Sequence, residues 1–136
     1  MEQCRLCKCT DKPLKESHII PKMFYNALKR NSPTCIMRMA DDPNRGVQDG
    51  LKLPFLCGEC EELFSKYERA FSNRIYQKAI ANDGEIKFES KDDALSYFLL
   101  SVAWRVIKHT RETDKTTLTE CELEKMDGII ETWRRI

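Results

Sequence analysis

Residues 56–68 read LCGECEELFSKYE. A CxxC pair, Cys57 and Cys60, runs straight into a stretch whose apolar residues Leu63, Phe64, Tyr67, Phe71 and Ile75 recur at spacings of three and four. That spacing places them on one face of a helix, expected from Glu61 to about Ile80. Upstream lies a second pair, Cys4-Arg-Leu-Cys7. Each CxxC turn lets two thiolates reach one ion, and two such turns complete a closed tetrahedral Cys4 site, the usual arrangement for structural Zn2+. Cys9 is an alternative to Cys7 as ligand, with poorer spacing. Cys35 and Cys121 stand alone and are expected to be packed thiols.

A CxxC turn paired with a CxxC at a helix start is the treble-clef arrangement. Metal binding explains how an N-terminal region poor in large apolar residues holds a fold. The whole chain has 136 residues, 41% hydrophobic and 33% charged, with five Gly and five Pro, which excludes a collagen-like, low-complexity or wholly disordered protein. Its longest mainly apolar stretch, Tyr97 to Ile107, is too short to cross a bilayer and is interrupted by Ser101 and Arg105, so no membrane partner is expected. No basic segment followed by an apolar run opens the sequence, and the seven cysteines, an odd number, argue against a disulfide framework. The expected compartment is the cytoplasm.

Outward from the cysteine pairs, the expected class is α+β. Pro21 pushes Ile20 away from helical geometry and suits the first turn of a helix over Lys22 to Arg30, with Met23, Phe24 and Leu28 as its apolar side. Thr34 to Ala40 suits a short strand, and Asp41 to Gly50 (DDPNRGVQDG) a surface loop. Leu51 to Leu56 reads as extended, with Pro54 marking an edge or bend. Glu85 to Glu89 alternates like a short strand. Asp92 to His109 reads as a helix apolar around most of its circumference, with His109 at its C-terminal end. Thr119 and Glu122 form a capping box for a last helix, with Leu123, Met126, Ile130 and Trp133 on one face. Residues 1–80 are expected to form the zinc domain and 81–136 a helical C-terminal subdomain packed on it.

His18 sits between the cysteine pairs in Lys15-Glu16-Ser17-His18-Ile19-Ile20-Pro21. A neutral imidazole can take a proton from water near neutral pH. CxxC, then SHIIPK, then LCxxCE ahead of a helix resembles the HNH, or His-Me finger, nucleases of the zinc-stapled treble-clef kind. The likeness spans roughly Cys4 to Phe71. It implies a ββα-metal core in which His18 is the general base and Glu61 a ligand of a catalytic Mg2+ or Mn2+, separate from the zinc. The residue before the base is often Asp or His in such enzymes and is Ser17 here. The usual middle Asn falls near Lys52, with Gln48 or Asp49 left to hold the loop.

Residues 1–40 carry eight Lys/Arg against three Asp/Glu, whereas residues 61–136 carry thirteen against fifteen. A basic N-terminal third suits phosphate, and Lys15, Lys22, Arg30 and Arg38 are the candidate contacts, contributing mainly salt-dependent affinity. The reading is a metal-dependent endonuclease acting on DNA, with RNA an alternative substrate. Small proteins of this appearance often resemble parts of bacterial or phage conflict systems. The competing reading is a treble-clef module that keeps zinc without catalysis and binds nucleic acid or protein. The C-terminal helix is the expected contact for a protein partner or a second copy.

Overall fold

The structure, a computed structural model, describes residues 2–85, 93–113 and 117–136. Its architecture is α+β, with two small antiparallel sheets and helices that run from about one to nearly six turns. Strand β1 (Leu14–His18) pairs with β4 (Lys52–Cys57), while β2 (Met37–Arg38) pairs with β3 (Gly46–Val47). Between β1 and β2 lies α1 (Lys22–Asn31), opening directly after Pro21. The β1–β4 ladder is irregular between Lys15 and Glu16, where Glu16 faces Pro54. A proline cannot donate to the ladder, so it sits where the pairing already slips.

Cys57 caps α2 (Gly58–Phe71), whose first turn carries Glu59 and Glu61. The helix therefore begins three residues before the expected Glu61, because the second CxxC occupies its first turn and the acids there favour the positive end of the dipole. The rod continues through a π-helical turn, Ser72–Tyr76, into α3 (Gln77–Ala81). Two long helices complete the fold, α4 (Asp93–Thr113) and α5 (Glu120–Arg134). The expected capping box is present: Glu122 N–H donates to Thr119 Oγ1 at 3.3 Å and Thr119 N–H to Glu122 Oε2 at 2.8 Å.

Several local expectations need correction. The strand expected over Thr34 to Ala40 shrinks to Met37–Arg38, because Cys35 adopts a positive φ of 54° and its N–H closes a turn onto Ser32 O. Part of the expected loop, Gly46–Val47, pairs with it instead. Helix α4 is buried along one face, with Ser101 and Arg105 inside while Leu99 is 54% exposed. It runs on to Thr113, so His109 is not at its end; its Nδ1 is buried without a hydrogen-bond partner among the described residues. Leu28 of α1 is exposed, unlike Met23 and Phe24, which pack against Phe71, Ile75 and Phe98. Cys35 and Cys121 are exposed rather than packed. The strand expected over 85–89 lies outside the described residues, apart from Glu85.

Two apolar clusters hold the described residues together: Phe71, Ile75 and Phe98 form one, and the larger joins the cysteine turns to the C-terminal helices. Cys4, Phe55, Leu56, Cys57, Cys60 and Phe64 share the larger with Trp104 of α4 and Ile130 of α5. The indole N–H of Trp104 donates to Ile130 O at 3.0 Å, so a large buried aromatic keeps its one polar group satisfied. No helix among the described residues is long and apolar enough to cross a membrane.

Candidate metal centre and adjoining histidine

The first CxxC lies in a tight turn. Cys4 N–H donates to Cys9 O and Lys8 N–H returns to Cys4 O, both at 3.0 Å, with Lys8 at a φ of 67°. The turn is fastened to β4 by Arg5 N–H donating to Phe55 O at 3.1 Å. Cys57 N–H donates to Cys4 Sγ at 3.3 Å, tying the two cysteine turns together.

These constraints bring the Sγ atoms of Cys4, Cys7, Cys57 and Cys60 within 4.8 Å of one another. Sulfurs about 2.3 Å from one tetrahedral Zn2+ stand about 3.8 Å apart; Cys7 and Cys57 are separated by 3.7 Å. Three of the four residues are buried and Cys7 is exposed. The set is compatible with a structural zinc ion. Cys9 lies 3.1 Å from Cys7, sulfur to sulfur, but outside the four-sulfur group. Desolvation by the neighbouring groups opposes ionisation of Cys7, yet its hydrogen bonds with Cys9, Cys4 and Cys57 outweigh it and hold the thiol down at about 6. The hydrogen bond shared with Cys7 pushes the Cys9 thiol up to about 12.

On β1, side chains alternate across the strand. Ser17 is fully buried and its hydroxyl donates to Glu61 Oε2 at 2.6 Å, joining the strand to the first turn of α2. Glu16 is exposed. His18, at the strand's end, sets Nε2 2.8 Å from Asp49 Oδ1, and its ring lies 6.3 Å from that of Tyr25. The hydrogen bonds of Lys52 and then His18 hold the Asp49 carboxyl well below the usual carboxylate range. Lys52 Nζ is 2.9 Å from Asp49 Oδ2. Of the two residues expected to hold this loop, Asp49 is therefore the one that meets His18. Gln48 instead accepts at its carbonyl from Lys29 Nζ at 2.6 Å.

Sequence reasoning missed Arg105. Its side chain is 2% exposed, and it donates to His18 O at 3.0 Å, to Glu68 Oε1 at 2.8 Å and to Ser101 O at 3.3 Å. A charged residue inside an apolar helical run is the signal that pointed to it, since a buried guanidinium needs several acceptors. Lys15, Lys22, Arg30 and Arg38 are all exposed. Arg38 spends one N–H on Pro43 O at 3.2 Å.

No protein-family model, curated protein or solved structure matches this chain.

Proposed function

We propose that the chain is a metal-dependent endonuclease of the HNH type, hydrolysing phosphodiester bonds in DNA from a zinc-stapled treble-clef core. The observation that carries this reading is the convergence of Ser17 and Glu61. Glu61, which the family resemblance implies as an ion ligand, meets Ser17, the residue before the candidate base, at 2.6 Å, although forty-four residues separate them. An antiparallel strand pair leading directly into a helix, stapled by four cysteines, supports the same reading.

The donor set there is one carboxylate and one hydroxyl. All-oxygen donors with few carboxylates fit Mg2+ or Mn2+, which keep several waters and take up substrate phosphates. When bound, such an ion supplies charge stabilisation to the phosphorane and the leaving oxygen. The protein's own part is proton transfer. A proton on His18 Nε2, shared with Asp49 Oδ1, leaves the lone pair on Nδ1 to accept the proton of an attacking water. Asp49 fixes the ring's orientation and offsets the imidazolium that forms, while Arg105 holds the backbone that carries it.

In the presence of Mg2+ or Mn2+, the chain should nick supercoiled plasmid, and EDTA should stop it. His18→Ala at matched zinc content should lower the rate by about 10²- to 10⁴-fold; equal rates would overturn the assignment. A second reading, a zinc module that binds without turnover, is favoured by the burial of Ser17, whose hydroxyl already satisfies Glu61 from within the protein. Duplex binding with no nicking at any Mg2+ or Mn2+ concentration would select it.

A further inference from the structure

We propose that the groove between α1 and the β2–β3 hairpin takes an unstacked base of single-stranded DNA beside His18. The siting of that base next to a hydrolytic centre rests on the nuclease reading; the binding does not.

The groove has a volume of about 630 Å³, within the roughly 300–1,000 Å³ of small-ligand sites. Leu28, Ile36, Met37 and Leu51 line its walls, and Tyr25 and Asp49 lie at the end that adjoins His18. Leu28 is 60% and Leu51 50% exposed, an arrangement that costs solvation with no return inside the fold. The inner end is shaped to keep an aromatic in place. A Cβ on Gly50 would stand 1.9 Å from Tyr25 Cε2, so the ring lies over bare backbone.

Charge selects among apolar occupants. Residues 22–52, which build the groove, carry six Lys/Arg against three Asp. Two of the three carboxylates are engaged, Asp49 by Lys52 and His18 and Asp42 by Asn44 N–H. Lys22, Arg30 and Arg45 are exposed on the same segments. Apolar walls with an aromatic, with Arg38 the cation among the lining residues and a net positive charge on the segments that build them, match a base with its flanking phosphates. A base can enter a concave site only after leaving the stack, and a single strand loses least in giving one up.

The test is binding by the zinc-loaded wild-type chain without Mg2+ or Mn2+, read by fluorescence anisotropy. Three labelled probes are compared: a twelve-nucleotide thymidine strand, the same backbone carrying no bases, and a duplex of equal length. The thymidine strand should bind at least tenfold more tightly than either of the others. Met37→Glu and Leu28→Glu, each checked for zinc content and helicity, should bring it down to the level of the baseless strand. Baseless and thymidine strands binding within twofold of each other would overturn the proposal, as would two folded variants that both bind thymidine like wild type. Base-dependent binding without plasmid cleavage would sustain the groove and sink the nuclease. Cleavage without base dependence would do the reverse.

Discussion

Cys9 and Cys7 are two residues apart and their sulfurs nearly touch, yet they differ in role. Cys7 joins the converging four and Cys9 lies beside them. Cys9→Ser should retain one zinc per chain, whereas Cys57→Ser should lose both zinc and fold, read by elemental analysis and far-ultraviolet circular dichroism. The asymmetry follows from magnitudes, since structural zinc contributes about 10–16 kcal/mol in small zinc folds and a domain's whole stability is about 5–15 kcal/mol. At this scale the sequence was most legible. Spacing pointed to the four sulfurs, with Cys9 left as an alternative to Cys7, because a CxxC turn is local geometry. Asp49 was one of two open choices, and only the fold decided it, since thirty-one residues separate it from His18.

Among elements, α4 is where the sequence misled. Its apolar run suggests burial all round, but the buried face holds Ser101 and Arg105 while Leu99 and Val106 are exposed. The reason is that Arg105 links three elements: its own helix, α2 through Glu68 and β1 through the carbonyl of His18. Its guanidinium also lies 5.1 Å over the ring of Phe64. Glu68→Ala leaves this charge buried without its counter-ion. Breaking a fully buried pair costs about 3–5 kcal/mol. The Glu68 side chain is 25% exposed, so a urea melt at neutral pH should show a smaller loss, about 2 kcal/mol.

Across the whole molecule, three of the four converging cysteines, Cys4, Cys57 and Cys60, share one core with the C-terminal helices. Arg134 of α5 also donates to Leu6 O at 3.0 Å, within the first CxxC turn. Stripping the metal with a strong chelator should therefore abolish the helical signal and the buried-tryptophan fluorescence in one coincident transition. Two separate transitions would show that α4 and α5 stand without the cysteine turns. The sequence suggested a helical subdomain over 81–136 packed on the zinc domain, but not which residues make the contact. Trp104 and Ile130 give no local hint that they meet Cys4 and Phe55, because the contacts span most of the chain. The short β2–β3 pair was hidden for a related reason: two-residue strands carry no periodicity to read.

The wide turn at Ser72–Tyr76 has a consequence for chain length. Gln77 N–H reaches back five residues to Ser72 O, where an α-helix would reach back four, so the rod holds one residue of slack. Removing exposed Asn73 should let the turn tighten into ordinary α-helix, leaving Tyr76 and Ile80 in their present phase and the melting temperature within a few degrees of wild type. Removing Lys66, in the regular part of the same rod, takes out a residue where there is none to spare. It swings Phe71 and Ile75 about 100° away from Phe98, and the melting temperature should collapse.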